Sequence, residues 1–325
     1  MTLPQPSLAW FLATIVTIVF VIAYPLALAI VAHQRLRVSW RYFWFGVLIF
    51  LLFQLVTRVP IVTILGIVLA PTLRASPVAL WAWLVVLALT AGLAEEIGRY
   101  VGYRWLMGRE EKTWNKAVMY GVGHGGLESI VLVGGGALLS LISIAATLAT
   151  VNPAKLPAGQ RHTVMAQFAA LAAQPGWEPL LGAWERLWTL PFHIAMSVVV
   201  LQVFRRGQLR WLWVAVGAHA LFDFISVALI QALSSSLPRL TVDLIAEGFI
   251  AVVGLIAVWV IFALRDDRGQ ESASSAGQAP QPMQTPVVGE STGLGASWQA
   301  SVWRTAGLQP GAPPFLLATG ARAAL

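Results

Sequence analysis

Seven apolar stretches, each long enough to cross a lipid bilayer as a helix, constrain this chain more than any other feature of its sequence. A helix rises about 1.5 Å per residue, so about 20 residues cross the ~30 Å hydrocarbon core. The stretches lie near residues 8–32, 39–57, 78–105, 114–137, 183–204, 211–231 and 243–264. Of the 325 residues, 58% are hydrophobic and only 11% are charged, against about 25% charged in a soluble domain. The sequence therefore predicts an all-α, polytopic transmembrane helix bundle with about seven spans.

Two shorter apolar segments leave alternatives open. Residues 60–72 begin at Pro60 and are either a re-entrant segment or a kinked continuation of the second span. Residues 137–150 follow three consecutive glycines and either extend the fourth helix or lie at the membrane interface. We assign residues 1–264 to the transmembrane bundle that houses an intramembrane site. Residues 265–325 are rich in Gly, Ser, Ala, Gln and Pro, which predicts a disordered cytoplasmic tail.

Basic residues are concentrated in alternate connections. The clusters follow the first, third, fifth and seventh predicted spans: Arg35, Arg37 and Arg41; Arg104, Arg109, Lys112 and Lys116; Arg205, Arg206 and Arg210; Arg265 and Arg268. The positive-inside rule makes these connections cytoplasmic. We therefore expect a multi-pass protein of the cell membrane, with the N-terminus outside and the C-terminus in the cytoplasm. The formal net charge of +7 is explained by this topology, so we expect the lipid bilayer and no nucleic acid as a partner.

Titratable residues occur inside four of the predicted spans, where they are costly and usually mark a functional site. Counted from the nearest basic connection at 1.5 Å per residue, one residue in each span (Glu95, His124, His193 and His219) lies about 12 to 18 Å deep. This common depth predicts that the four helices bring their polar groups together in one layer, in the cytoplasmic half of the membrane. The residues are Glu95, Glu96 and Arg99 in the third span, His124 and Glu128 in the fourth, His193 in the fifth, and His219 with Asp223 in the sixth.

The local spacing of these residues agrees with a shared site. His124 with Glu128, and His219 with Asp223, are four residues apart, so each pair occupies one helix face. Glycines at positions 121, 123, 125 and 126 surround His124, and Gly217 precedes His219, which favours close helix packing. By contrast, Arg58, Glu185 and Arg186 lie near predicted span ends, where we expect them to snorkel or to pair at the membrane interface.

Two kinds of chemistry fit carboxylates and imidazoles in a water-accessible intramembrane pocket. One is hydrolysis, in which a Glu takes a proton from water, with or without a metal ion held by His and carboxylate ligands. The other is proton-coupled transport, in which the same groups form a relay. The chain has no HExxH, GxSxG or Walker A motif, and the absence of cysteine excludes disulfides, thiolate metal ligands and a cysteine nucleophile. A scaffold that keeps these residues for packing is a third alternative.

Four ordered motifs carry a resemblance to a known family. They are AEEIGRY at 94–100, GVGHGGLE at 121–128, PFHIAMS at 191–197 preceded by Glu185-Arg186, and HALFDF at 219–224. Over about residues 10–264 the chain resembles the YhfC family of intramembrane metalloproteases. More distantly it is similar to the PrsW and CAAX-type (CPBP) intramembrane proteases, which implies a CAAX-protease-like helical core.

The resemblance implies roles for the polar residues. In these proteases the first Glu and the His of the second motif activate water, and the last motif steadies the oxyanion. It therefore implies an intramembrane endopeptidase that cleaves a membrane protein or a lipid-modified peptide. Carried over, the catalytic set is Glu95, Glu96, His124, His219 and Asp223, supported by Arg99 and Glu128, with His124, His193 and His219 as candidate Zn²⁺ ligands.

One departure from the distant pattern keeps the mechanism open. Asp223 stands where an Asn would donate a hydrogen bond to an oxyanion, and an ionised Asp cannot donate. Three roles therefore remain: Asp223 orients His219, binds a metal, or acts in its protonated form. A metal-free glutamate mechanism and a zinc mechanism both remain compatible with the sequence.

Overall fold

A computed structural model describes residues 2–265. Seven helices within this part of the chain are long and apolar enough to cross a membrane, which confirms the predicted number of spans. No β-strand occurs among these residues, so the predicted all-α class is also confirmed. The first to seventh spans are Leu8–Leu36, Arg41–Ala75, Pro77–Leu106, Trp114–Thr150, Leu180–Arg206, Arg210–Leu233 and Arg239–Ala263.

The two ambiguous apolar segments both continue a span. The second span runs through a π-helical stretch, Leu51–Arg58, into the α-helix Val59–Ala75. In that stretch the Val59 N–H donates to the Gln54 carbonyl, five residues back, and the widened turn accommodates Pro60 without ending the helix. The fourth span likewise continues through the π-helical stretch Ser129–Gly135 into Gly136–Thr150.

The bundle has two distinct faces. We call the face with the connections 37–40, 107–113 and 207–209 the basic face, because three of the four predicted basic clusters and Arg265 lie there. We call the opposite face, with residues 2–7, the segment 151–179 and the connection 234–238, the distal face. Segment 151–179 contains a short 3-10 helix, Pro153–Lys155, and one α-helix, Ala158–Ala172. Because seven spans is an odd number, the two ends of the bundle lie on opposite faces; the assignment of the basic face to the cytoplasm remains a prediction.

The hydrophobic core lies towards the basic face. Its largest members include Tyr103, Tyr120, Met107 and Leu201, all of them fully buried. The Tyr103 hydroxyl donates to the Ser197 carbonyl at 2.9 Å and so joins the third span to the fifth.

Polar contacts fasten the helix ends at the basic face. The Trp114 indole N–H donates to the Ile261 carbonyl at 2.8 Å and joins the fourth span to the seventh. The Tyr42 hydroxyl donates to Glu110 at 2.6 Å, and with the nearby charges of Arg41 and Lys116 it lowers the pKa of that carboxyl.

Residues 266–325 lie outside the described part of the chain. They hold nearly all of the predicted cytoplasmic tail, which therefore stays a prediction. The last helix ends at Ala263, next to the predicted boundary of the bundle.

The second and fourth spans touch backbone to backbone. A Cβ at Gly123 would lie 2.0 Å from the Phe43 carbonyl oxygen, so only glycine allows this approach. Gly217, for which the sequence suggested a similar role, faces open space instead. No neighbouring atom of the described residues lies within 4 Å of the point that its Cβ would occupy, so Gly217 does not serve close packing.

We expect Gly123→Ala to destabilise the bundle by about 1–3 kcal/mol, because the two helices must separate to admit the methyl group. Gly217→Ala makes the same chemical change in open space and is expected to be neutral or to stabilise by about 0.5–1 kcal/mol. Thermal unfolding of both variants in detergent measures the difference. Equal melting temperatures would contradict the close approach of the second and fourth spans.

Candidate active site

The polar residues of the third to sixth spans meet around the buried carboxylate of Glu95. Its Oε2 lies 3.0 Å from Nε2 of His124 and 3.6 Å from Nδ1 of His193. Its Oε1 lies 3.7 Å from Nε2 of His219 and accepts a hydrogen bond from the side-chain amide of Gln54. Three imidazoles from three other helices thus surround one carboxylate, as the common depth predicted.

The neighbouring carboxylate, Glu96, connects the third span to the sixth. Its Oε1 lies 2.6 Å from Nδ1 of His219 and pairs with the Arg99 guanidinium one turn along the same helix. Its other oxygen, Oε2, is buried without a hydrogen-bond partner. Glu96 therefore faces the packed interior and orients His219, while Glu95 faces the site.

Arg99 is the cation that compensates both carboxylates. Its side chain is 0% exposed, and its Nη2 lies 3.4 Å from Glu95 Oε2 and 2.8 Å from Nδ1 of His193. A buried carboxylate without a partner costs several kcal/mol, and a fixed guanidinium offsets much of this cost. The i,i+4 contact between Glu95 and Arg99 that the spacing suggested is present.

Hydrogen-bond donors determine the imidazole tautomers. Arginine can only donate, so Nδ1 of His193 accepts from Arg99 and the ring proton lies on Nε2, which is 2.7 Å from Glu128 Oε2. A carboxylate only accepts, so Nδ1 of His219 donates to Glu96. The lone pair of neutral His219 is therefore on Nε2, on the side of Glu95 and Asp223.

The two remaining predicted residues, Asp223 and Glu128, contact other members of this group of polar residues. Asp223 Oδ2 lies 3.9 Å from Nε2 of His219, at the edge of the cluster, with 32% of its side chain exposed. Glu128 shares a helix face with His124 but contacts His193 and Arg186, at 2.7 and 2.9 Å. All of the predicted site residues therefore belong to one connected network.

Residues near the predicted span ends also belong to this network. For Arg58 the expectation of a position at the interface was wrong, whereas Glu185 and Arg186 pair as expected. Arg58 is at the midpoint of the second span, because that span runs to Ala75 and does not end near residue 57. Arg186 lies six residues inside the fifth span, about 9 Å from its start, and pairs with both Glu128 and Glu185.

Arg58 and Gln54 come from the π-helical stretch of the second span, which carried no predicted site residue. Arg58 donates to the Thr90 hydroxyl at 3.2 Å, to Gln54 Oε1 at 3.3 Å and to the Leu87 carbonyl. π-Helical turns occur often at functional sites. The only sequence signal for these two residues was a Gln and an Arg at four-residue spacing in an apolar stretch.

A cavity of about 320 Å³ adjoins Glu95 on the side of the distal face. His193, His219 and Asp223 line it together with Arg58 and Arg186. The cavity is large enough for several water molecules, and its polar wall gives those waters partners. It provides the space next to Glu95 in which a water molecule and a substrate group could meet.

The donor atoms around Glu95 fit a metal ion in type and number. Ligand atoms of Glu95, His124 and His193 all lie within 4.8 Å of one another, and the same holds for Glu95, Glu96 and His219. Two His and one carboxylate form one of the ligand sets of catalytic zinc. In the first group Arg99 competes with the ion, because its guanidinium is hydrogen-bonded to Nδ1 of His193.

Comparison with known proteins agrees with this donor set. The YhfC intramembrane metalloprotease family matches residues 18–246, more than two thirds of the chain and all four polar clusters. The chain belongs to the YhfC family. It is similar to an uncharacterized membrane protein, YhfC, of Bacillus subtilis (strain 168), with 27% identity over 179 residues, which are 54% of this chain and 67% of that protein.

No solved structure matches the chain. The similarity to a CAAX-protease-like core therefore remains a prediction from the motifs. The YhfC relative of Bacillus subtilis is described as a membrane protein, in agreement with the seven spans seen here.

We expect Arg99→Met to destabilise the protein by about 3–5 kcal/mol, because it leaves two buried carboxylates without their cation. Arg41→Met removes an arginine from the exposed Arg41–Glu110 pair and is expected to cost about 0–1 kcal/mol. Thermal unfolding and expression yield in detergent compare the two variants. An Arg99→Met protein as stable as Arg41→Met would contradict the role of Arg99 as the compensating charge.

Proposed function

We propose that this protein is an intramembrane endopeptidase that hydrolyses peptide bonds of membrane-associated protein substrates. The observation that carries the proposal is the contact of the Glu95 carboxylate with His124, His193 and His219 beside a polar cavity. A membrane protein that only needed to pack would not require four titratable side chains, their cation and an adjoining cavity at one depth. Membership of a metalloprotease family supports the same activity.

In this proposal Glu95 is the general base. Its carboxylate takes a proton from a water molecule in the cavity as that water attacks the substrate carbonyl, and later returns the proton to the leaving amine. His124, at 3.0 Å, orients Glu95, while Arg99 stabilises the ionised carboxylate until it takes the proton. Asp223 Oδ2 lies 3.9 Å from the lone-pair nitrogen of His219, so only its protonated form could donate a hydrogen bond to that nitrogen or to the reacting group.

Arg58 is the candidate donor for the developing oxyanion. Its guanidinium has five N–H groups, and three of them are used by Thr90, Gln54 and Leu87. These contacts hold the group rigidly in the cavity wall and leave donors for a substrate oxygen. A preorganised cationic donor of this kind stabilises negative charge that develops in the transition state.

A metal ion would be held by Glu95, His124 and His193, and it would supply Lewis-acid activation of water. Glu95 would then serve as a ligand, so its role as the free general base belongs to the metal-free mechanism. Zn²⁺ suits these ligands. For His193 to contribute Nδ1, Arg99 must release that nitrogen and keep its contacts with Glu95 and Glu96. The metal-free alternative leaves activation of water to Glu95 and its imidazole neighbours.

We expect Glu95→Gln to abolish cleavage, because the amide cannot accept the proton of water, while folding and expression are kept. Glu110→Gln is the matched control, since Glu110 lies in the exposed connection of the basic face. N-terminal proteomics of membranes from expressing cells detects new protein N-termini. We expect them with wild type and Glu110→Gln and expect none above background with Glu95→Gln; equal sets of new N-termini in all three would contradict the proposal.

The metal is tested by a measurement that needs no substrate. We expect about one equivalent of zinc in the protein purified without chelator, and a strongly reduced content in His124→Ala, because that variant loses one of three protein ligands. His33→Ala, which changes a histidine of the basic face, is the control. Zinc below stoichiometry in the wild type, together with retained cleavage, would favour the metal-free mechanism.

Proton-coupled transport is the alternative function. A transporter needs polar groups that lead from the site to both faces. Between the site and the basic face the helices are packed with buried apolar and aromatic side chains such as Tyr103, Tyr120 and Leu201, which weighs against a relay. Uptake into proteoliposomes driven by a pH gradient would favour transport instead.

A further inference from the structure

Apart from Phe50, which contacts the His124 ring, the site cavity lies on one side of the polar layer. On the third span its lining residues, such as Ala91, precede Glu95 and so lie towards the distal end of the helix. On the sixth span, which runs in the opposite direction, lining residues such as Ser226 follow His219 and again lie towards the distal end. The fourth and fifth spans repeat the pattern. Leu132 follows His124 on the fourth span, Thr189 precedes His193 on the fifth, and both lie towards the distal end.

The other side of the polar layer is closed. Tyr103, Tyr120, Met119 and Val198 are buried between Glu95 and the basic face. Both tyrosine hydroxyls are satisfied by backbone carbonyls, those of Ser197 and Arg99, at 2.9 and 3.4 Å. Tyr103 and Tyr120 also pack against each other, with ring centroids 5.0 Å apart. No lining residue of the site cavity comes from this packed region.

A second cavity continues the first towards the distal face. It has a volume of about 720 Å³ and shares Glu185, Ser226, Val227 and Ile250 with the site cavity. Its wall reaches Gln174 and Glu178 in segment 151–179. The two cavities therefore adjoin each other and together extend from Glu95 to segment 151–179.

The walls of both cavities are mostly apolar, but charged side chains occur along their whole length. Glu178 pairs with Arg239 at 2.8 Å, and Arg239 also pairs with Asp243 at 3.4 Å. Closer to the site, Arg186 connects Glu185 with Glu128. In hydrocarbon such groups are tolerated only where they pair with each other or line a water-filled cavity. Because these pairs line both cavities, they provide hydrogen-bonding partners for water along the route.

We propose that water and the substrate segment reach Glu95 from the distal face, and that this face is the outer face of the cell membrane. The substrate would then be a protein segment on the outer side of the membrane or in its outer leaflet. The route for substrate rests on the proposed protease function, whereas the route for water does not. The assignment of the distal face to the outside rests on the basic clusters at the opposite face.

The chain contains no cysteine, so single Ser→Cys variants of the full chain give a direct test. Ser226 lines both cavities, and its hydroxyl donates only to the Phe222 carbonyl in its own helix. Three exposed serines provide matched controls: Ser235 at the distal face, Ser39 at the basic face and Ser143 on the apolar surface of the fourth span. The probe is a membrane-impermeant trimethylammonium methanethiosulfonate. A thiol that has reacted with the probe is detected because a mass tag added afterwards can no longer bind to it.

In intact cells we expect reaction of Ser226→Cys and Ser235→Cys. We expect Ser39→Cys to react only in inverted vesicles and Ser143→Cys in neither preparation, because no water reaches it. If Ser226→Cys reacts only in inverted vesicles, as Ser39→Cys does, the proposal is overturned. It is also overturned if Ser226→Cys reacts in neither preparation. Reaction of Ser235→Cys only in inverted vesicles would overturn the assignment of the distal face to the outside.

Combination with the Glu95→Gln substitution separates this proposal from the proposed function. The labelling pattern needs no activity, so it should be the same in Ser226→Cys with and without Glu95→Gln. In the otherwise wild-type enzyme, labelling of Ser226→Cys should eliminate the new N-termini, whereas labelling of Ser235→Cys should not. Unchanged cleavage after complete labelling of Ser226→Cys would overturn the route for substrate and leave the protease function intact.

Discussion

The fully buried contact of Arg99 with Glu95 and Glu96 is the interaction on which the site depends. Two carboxylates at this depth would each cost several kcal/mol without a partner, and the third span supplies its own partner one turn away. The same guanidinium also donates to His193 and so ties the third span to the fifth. One side chain thus compensates the charge, determines an imidazole tautomer and joins two helices.

Much of this arrangement could be predicted from the sequence because a membrane restricts the alternatives. Hydropathy gave the number of spans, and the distance of each polar residue from a basic connection gave a common depth. Side chains at one depth on neighbouring helices have few partners other than each other. For that reason the contacts of Glu95 with His124, His193 and His219 followed from position along the helices, although no sequence rule specifies which nitrogen meets which oxygen.

The residues that escaped prediction did so for a specific geometric reason. The sequence predicts that Arg58 lies at the interface because the span apparently ends near Pro60. A π-helical turn instead lets the helix continue beyond that proline. Arg186 was judged by the same criterion, although two carboxylates hold it inside the bundle. Gly217 shows the opposite error, since a small residue beside His219 faces open space. Hydropathy gives the depth of a residue but not the direction in which its side chain points.

The packed half of the bundle between Glu95 and the basic face has an electrical consequence. If water fills the cavities as proposed, the membrane potential would fall mainly across the layer that contains Tyr103 and Tyr120. Glu95 would then exchange protons with the solution at the distal face and would be electrically close to that solution. The tyrosine layer would act as an insulator, so that a water-consuming site within the membrane does not become a proton leak.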